Sequence, residues 1–147
     1  MSGLNYQRQI TFAIVGSKSG TTLTSVALTD AYDVANKTKI FETGGMSKLN
    51  LDCLYTMGAT ETLNSIELRV EGSTDGTNFY RIPNESISSG TSTLTRREFT
   101  YVGVDAAATT ISVGIDIFYK YVRVSVKETG KVTNFGTIYI EATIGGF

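Results

Sequence analysis

Hydrophobic and polar side chains alternate with a period of two along most of this sequence, and the 3.6-residue period of an amphipathic helix is almost absent. Such alternation predicts β-strands that place one face against a core and the other against water. The last such stretch in the chain is regular enough to predict a strand in the interior of a sheet. The pattern is clearest in five stretches: Lys48–Thr56, Ile66–Glu71, Ile111–Ile117, Val122–Val126 and Ile138–Ile144.

Weaker alternation brings the predicted total to about nine or ten strands. The additional strands are Thr11–Val15, Thr22–Leu28, Lys39–Glu42, Asn78–Ile82 and Leu94–Val102. The sharpest turn, Ser73–Gly76, contains Asp-Gly, which supplies the positive φ angles of a tight hairpin. We expect it to join the strand that ends at Glu71 to one that starts near Asn78. Gly16–Gly20 predicts another turn, and Ser86–Ser92 predicts an exposed polar loop.

Short strands at regular spacing predict an all-β fold, namely an antiparallel two-sheet β-sandwich that is jelly-roll-like. The 147 residues suit one domain, and neither an internal repeat nor a second zone of composition divides them. We therefore expect residues 1–147 to form a single β-sandwich domain, with residues 1–9 as a candidate N-terminal arm.

Charge and hydropathy limit the partners that we expect. Thirteen Lys and Arg residues oppose fourteen Asp and Glu residues, so the net charge of −1 offers no footprint for nucleic acid. No apolar run approaches the roughly 20 residues of a membrane-spanning helix, so we expect no membrane contact. The polar N-terminal stretch lacks the apolar core of a secretory signal, and the single cysteine cannot form an internal disulfide. These features favour a soluble protein made in a reducing cytoplasm.

The absence of histidine is the strongest functional signal in the composition. It removes Ser-His-Asp and Cys-His nucleophile systems and the commonest ligand of zinc. Cys53 alternates with leucines on an apolar strand face, so we interpret it as a buried hydrophobic residue and not as a nucleophile. No Gly-rich phosphate-binding motif lies between a strand and a helix. We therefore expect a non-enzymatic protein without a cofactor or metal.

Two groups of carboxylates leave alternatives open. Glu67 and Glu71 could form the acid pair of a glycosidase, but their alternation with Arg69 favours an exposed ladder of charges. Asp30 and Asp33 could supply oxygen ligands to calcium, whereas turn formation is the commoner role of such residues.

Three phrases of the sequence resemble a known class of proteins. Leu54–Thr62 has the sequence LYTMGATET, and Ile66–Tyr80 ends in STDGTNFY. They are similar to the phrases YT-x-G-x-x-E-T and S-x-D-G-x-N-W/F-Y of small β-sandwich virion proteins of tailed bacteriophages. Tyr119–Val126 resembles the R/K-Y-V/I-R-V strand that accompanies them. The similar parts cover about half of the chain.

A weaker similarity connects the same phrases to discoidin-like galactose-binding sandwiches. This chain departs from that pattern because Phe79 stands where those proteins have a tryptophan, and because no pair of terminal cysteines is present. The departures put the sugar or lipid binding of that class in doubt.

The phage resemblance implies a structural protein of the virion, made in the cytoplasm of the bacterial host. Its most direct form is a capsid decoration or auxiliary protein that binds the major capsid protein or other virion proteins and forms a homo-oligomer. A head-completion or tail protein, and a carbohydrate-binding or adhesion module of a tail or fibre, are the alternatives. Candidate interface residues lie in the N-terminal arm and in predicted loops: Tyr6, Arg8, Asp30, Tyr32, Asp33, Ile87 and Phe135.

Overall fold

A computed structural model describes residues 9–32, 38–88, 91–96, 98–102 and 108–146 of the chain. For residues 38, 81, 83–88, 91–96 and 98–102 it describes the backbone alone. Within these ranges the regular structure is entirely β, as the alternation predicts. The described residues include no helix that is long and apolar enough to cross a membrane.

Fourteen strands follow one another along the described chain. In order they are β1 (Gln9–Val15), β2 (Ser17–Ser19), β3 (Thr22–Thr24), β4 (Val26–Ala27), β5 (Thr38–Glu42), β6 (Lys48–Thr56), β7 (Ser65–Ser73), β8 (Tyr80–Arg81), β9 (Pro83–Ser88), β10 (Thr91–Arg96), β11 (Glu98–Val102), β12 (Ala108–Asp116), β13 (Tyr121–Thr129) and β14 (Thr137–Gly145).

Ten of these strands form two antiparallel five-stranded sheets, which confirms the predicted β-sandwich. In the first sheet β14 and β6 are central, β12 forms one edge, and β1 and β4 share the other. In the second sheet β7 and β13 are central, β5 forms one edge, and β8 and β11 share the other. From β5 to β7 and again from β11 to β14, consecutive strands alternate between the sheets, which is a jelly-roll-like connection.

The core lies between the two sheets and consists mainly of aliphatic residues at alternating strand positions, joined by Cys53 and Tyr55. Burial of these side chains removes them from water, which is the main stabilising term of the fold. Cys53 is 2% exposed among them, in agreement with its predicted place in the core. The core residues of the central strands are Leu49, Leu51, Cys53, Tyr55, Ile66, Leu68, Val70, Val122, Val124, Val126, Ile138, Ile140, Ala142 and Ile144.

Polar stretches form more strand than the sequence predicts. The predicted loop Ser86–Ser92 is wrong in part, because β9 and β10 pair as an antiparallel hairpin there. The predicted turn at Gly16–Gly20 contains β2, which pairs with β3. Both hairpins are rich in serine and threonine, and β-branched threonine favours extended backbone even where no alternation marks a buried face.

Some predicted strands are also divided in the structure. Thr22–Leu28 contains the two short strands β3 and β4, and Leu94–Val102 spans the end of β10 and all of β11. The predicted strand Asn78–Ile82 is reduced to β8. Hydrophobic pattern alone does not locate such breaks, because each piece keeps its extended backbone but pairs with a different neighbour.

The predicted turn at Ser73–Gly76 lies in the connection from β7 to β8, but this connection is longer than the tight hairpin expected, because β7 ends at Ser73 and β8 begins at Tyr80. One carboxylate oxygen of Asp75 accepts hydrogen bonds from the backbone N–H groups of Thr77 and Asn78, each at 2.8 Å. These bonds, that of Asn78 first, hold the pKa of Asp75 below its ordinary value. Gly76 has a φ of +76°, which explains the need for glycine.

The charged face of β7 is less exposed than predicted. Glu71 is only 7% exposed and accepts hydrogen bonds from Nε and Nη2 of Arg123, at 3.2 and 2.9 Å. The guanidinium of Arg69 lies 3.8 Å from the ring centroid of Tyr32, whose hydroxyl donates to Glu67. Both glutamates therefore have polar partners within the chain, as predicted for a ladder of charges. The ring of Tyr32 covers part of this ladder, so the ladder is half-buried and not fully exposed.

Truncation of a core side chain tests the sandwich. Leu51 is fully buried, so we expect Leu51→Ala to lower the free energy of unfolding by about 2–5 kcal/mol through lost burial and a residual cavity. Lys39→Ala, on an exposed side chain of β5, should change it by no more than about 0.5 kcal/mol. Urea denaturation measures both values, and equal losses would contradict this assignment of the core.

Candidate functional site

Three loops meet at one end of the sandwich, and we call their residues 28–32, 58–64 and 130–136 the loop surface. The backbone N–H of Leu28 donates to the carbonyl oxygen of Gly136 at 2.9 Å. The backbone N–H of Glu128, at the end of β13, donates to the carbonyl oxygen of Thr29 at the same distance. Hydrogen bonds between loops therefore join the first loop to the last.

The carboxylate of Glu61 fixes the third loop to the second. It accepts hydrogen bonds from the backbone N–H groups of Val132 at 2.9 Å, Thr133 at 2.5 Å and Asn134 at 2.6 Å. Glu61 is 2% exposed, so these bonds replace water around a buried carboxylate. The N–H groups of Val132 and Asn134, and then that of Thr133, lower the pKa of Glu61 to about 2, although burial acts in the opposite direction.

A second buried carboxylate, Glu128, joins the loop surface to the core. It is fully buried and accepts hydrogen bonds from the hydroxyl of Tyr55 and from the backbone N–H of Gly136, the latter at 2.8 Å. Burial, followed by the hydrogen bond to Glu128, raises the pKa of Tyr55. Carboxylates thus hold the third loop in its middle, at residues 132–134, and at its end, at Gly136.

The phrase Leu54–Thr62 of the sequence has a structural role at this place. A side chain at Gly58 would lie 2.5 Å from the carbonyl oxygen of Asn134, so only glycine allows the second and third loops to approach. From the same phrase, Tyr55 donates one hydrogen bond to Glu128, and Glu61 accepts three from the third loop. The phrase therefore encodes the packing of the loop surface.

Two aliphatic side chains project from these fixed loops into solvent. Leu63 is 80% exposed and Val132 is 86% exposed. The backbone oxygen of Leu63 adjoins Gly130, and Val132 is one of the residues held by Glu61, so both belong to the ordered part of the surface. Apolar side chains exposed on an ordered loop have little backbone entropy left to lose if they bind a partner.

The structure brings three of the predicted interface residues to the loop surface. Asp30 is exposed, whereas Tyr32 and Phe135 are half-buried. Tyr32 packs under Arg69, and Phe135 lies 4.6 Å from the ammonium of Lys131. The other four predicted residues lie outside the residues or side chains that the structure describes: Tyr6, Arg8, Asp33 and Ile87.

The calcium alternative at Asp30 and Asp33 also falls outside the described chain, because it needs Asp33. Among the described residues, no three Cys, Asp or Glu side chains are grouped as ligands of a metal ion.

Sequence reasoning missed Leu63, Val132 and Glu61. The available signal was an apolar residue in a polar turn, as in the stretch Gly130–Asn134. Isolated surface hydrophobic residues are common, so this signal does not by itself identify a contact surface. The role of Glu61 depends on residues about 70 positions away in the chain, which no local pattern encodes.

A groove on the outer face of the first sheet is a second candidate site. It contains two cavities, of about 610 and 410 Å³, which both lie across β6, β12 and β14. We call this the outer groove. Side chains that line it are Leu23, Lys48, Asn50, Asp52, Leu54, Thr110, Ser112, Asp116, Tyr139, Glu141 and Thr143.

Two carboxylates lie next to each other in the outer groove, since Asp52 of β6 pairs directly with Glu141 of β14. Asn50 donates to Asp52 at 3.0 Å, and the ammonium of Lys18 lies 3.3 Å from Glu141, so each carboxylate has a polar neighbour. Tyr139 is 3% exposed, and its buried hydroxyl has no hydrogen-bond partner within the described chain. Burial, and then the charge of Glu141, raise the pKa of Tyr139.

Comparisons with known proteins include a structural likeness of low similarity. No protein-family model matches the chain, and no curated protein matches its sequence. A solved structure of the N-terminal endo-1,4-β-D-xylanase 10B of Clostridium thermocellum, with its CBM22-1 and GH10 modules complexed with xylohexaose, is similar at a TM-score of 0.45 and 13% identity. The similarity covers 95% of this chain and 24% of that chain, so this chain spans about a quarter of its length. At these values the likeness carries no functional argument.

Acidification tests the role of Glu61. Its pKa is lowered from 4.5 to about 2 in the folded protein, so its stabilising contribution is complete above the unfolded-state pKa and is lost as the pH falls towards 2. We expect Glu61→Gln to be less stable than the original chain at neutral pH, and this difference to shrink as the pH falls through that window. Urea denaturation at several pH values measures it, and a difference independent of pH would refute the assignment.

Replacement of Glu128 tests the second carboxylate. Glu128→Ala leaves the Tyr55 hydroxyl and the Gly136 N–H buried without partners. We expect a loss of roughly 2–6 kcal/mol, at about 1–3 kcal/mol for each group. The matched variant Glu128→Gln keeps the shape and an acceptor for Gly136, so it should lose clearly less. Thermal and urea denaturation compare the two, and equal losses would mean that the charged carboxylate, and not the volume or the neutral acceptor that glutamine keeps, is what Glu128 supplies.

Proposed function

We propose that this chain is a non-enzymatic structural component of a tailed-phage particle, most directly a capsid decoration or auxiliary protein that acts through protein–protein interfaces. The observation that carries the proposal is the loop surface, where Leu63 and Val132 are exposed on loops that buried carboxylates hold in place. The assignment to a phage particle rests on the sequence resemblance.

The energetics of the loop surface support a role in binding protein. Leu63 and Val132 would each bury apolar area against a neighbour, at about 25 cal/mol per Å² removed from water. The hydrogen bonds that Glu61 accepts fix the backbone of the loop that carries Val132. Most of the conformational entropy of this loop is therefore lost when the chain folds, and little remains to be lost on binding. On a particle, many identical contacts of this kind would act together against rupture of the shell.

The polar residues of the outer groove favour a second candidate, a carbohydrate-binding or adhesion module. Asn50, Asp52 and Glu141 offer hydrogen-bond partners to the hydroxyl groups of a sugar. Tyr139 is the aromatic residue among the groove side chains, and at 3% exposure its ring is not open for stacking. The groove therefore lacks an aromatic platform, and we rank this candidate second.

Uptake of the purified protein onto capsids that lack it tests the proposal. We expect stoichiometric binding in co-sedimentation, and a loss of affinity of about tenfold or more for Leu63→Asp and for Val132→Asp, because each places a charge in the apolar contact. Phe118→Asp is the matched control, since Phe118 is 92% exposed in the connection from β12 to β13, at the opposite end of the sandwich.

The same experiment separates the two candidates. Failure of the original chain to bind capsids, together with saturable binding to a glycan array that Asp52→Ala abolishes, would replace the structural proposal with the carbohydrate one. Uptake that Leu63→Asp and Val132→Asp leave unchanged would move the interface away from the loop surface.

A further inference from the structure

The strand β12 has one edge that no other described strand pairs with. All nine of its residues pair with β6 in continuous register, from Ala108 opposite Thr56 to Asp116 opposite Lys48. Half of the backbone N–H and C=O groups of an edge strand point away from its partner, and another strand can bind to them. The edge of β12 is therefore a template for a further strand.

The side chains at this edge are also incompletely covered. Val113 points towards the core, as its position in the alternation requires, but it is only half-buried, unlike its neighbours Ile111 and Ile115. Gly114 lies on the opposite, outer face of β12, where a side chain would meet no atom within 4 Å. A strand added beside β12 would pair with its outward-pointing backbone groups and would cover Val113.

Two other edge strands, β5 and β1, carry features that discourage such pairing. The short strand β5 includes the charged residues Lys39 and Glu42, and β1 has an irregularity in its register between Ala13 and Val15. Charges and bulges are the usual means by which proteins protect sheet edges. The strand β12 has a continuous register, no proline and no charge before its last residue, Asp116.

We propose that β12 pairs with β12 of a second copy of this chain, as antiparallel strands related by a two-fold axis. Pairing centred on Ser112 would place that residue opposite its own counterpart and keep inward side chains opposite inward ones, so both faces of the joined sheet would match. Asp116 would lie opposite Ala108 of the second copy, far from the other Asp116. No like charges would then be opposed.

The self-complementary register of β12 supports a second copy as its partner, because two-fold pairing about Ser112 matches the faces and opposes no like charges. Ala-Thr-Thr-Ile-Ser-Val-Gly-Ile is uncharged, so it offers no electrostatic selection for a basic or acidic segment. The one charge, Asp116, already lies 2.5 Å from the ammonium of Lys48. This inference rests on the proposed function and deepens it, because it assigns the surface through which copies of the protein would assemble.

Sedimentation equilibrium of the full chain over a range of concentrations tests the proposal. We expect the original chain to dimerise and Ser112→Lys to weaken the dimer by about fivefold or more, because two lysines would oppose each other at the axis. An equal mixture of Ser112→Lys and Ser112→Asp should form heterodimers that are tighter than either homodimer. Thr22→Lys, which adds the same charge on the exposed strand β3, should dimerise like the original chain.

A second pair of variants does not depend on the register. Gly114→Lys adds a charged side chain on the open outer face of the edge strand, whereas Gly114→Thr adds a neutral β-branched one. Because a lysine on an edge strand discourages pairing, the first should weaken the dimer and the second should preserve it. Circular dichroism confirms that each variant is folded. An original chain that stays monomeric at every concentration, or a dimer that neither Gly114→Lys nor Ser112→Lys affects, would overturn the inference.

Capsid uptake by the same variants separates this inference from the proposed function. Full uptake of a chain that does not dimerise through β12 would overturn the β12 dimer and leave the structural function standing. A chain that forms the β12 dimer but does not bind capsids would overturn the proposed function and leave the β12 dimer standing.

Discussion

Burial of two carboxylates, neither with a cationic partner among the described residues, is the constraint on which the ordered end of this sandwich depends. Glu61 and Glu128 are each removed from water, and each is satisfied by hydrogen-bond donors of the chain itself. A buried carboxylate tolerates little displacement of its donors, because an unpaired charge in the interior is far more costly than a broken contact at the surface. The backbone of residues 130–136 therefore has one arrangement, and its exposed side chains inherit that order.

The loop surface and the edge of β12 lie in different directions on the molecule. The first is at one end of the strands, and the second runs along their length at one side of the first sheet. A partner at one does not block a partner at the other, so the fold allows one chain to bind a shell and a second copy at once. Such an arrangement would turn individually weak contacts into a network over a particle.

The sequence predicts the strands whose two faces differ. In β6, β7, β13 and β14 one face packs in the core, so hydrophobic and polar residues alternate along each strand. This alternation shows in the sequence which residues of the strand are buried. The pair β2 and β3 has side chains exposed on both faces, so no alternation marks it and Ser17–Ser19 appeared to be part of a turn. Hydrogen bonds that join distant parts of the chain, such as those that Glu61 accepts from residues 132–134, leave no local pattern in the sequence.

The thiol of Cys53 has a practical consequence. Burial, with a smaller contribution from the charge of Asp52, raises the pKa of Cys53 to about 12, so the reactive thiolate is scarce at neutral pH. The side chain is also only 2% exposed, so reagents in solution cannot reach the sulfur. Since it is the single cysteine of the chain, a cysteine introduced at an exposed position such as Thr22 would react alone with a maleimide dye. The native protein can therefore be labelled at one chosen site without first removing its own sulfur.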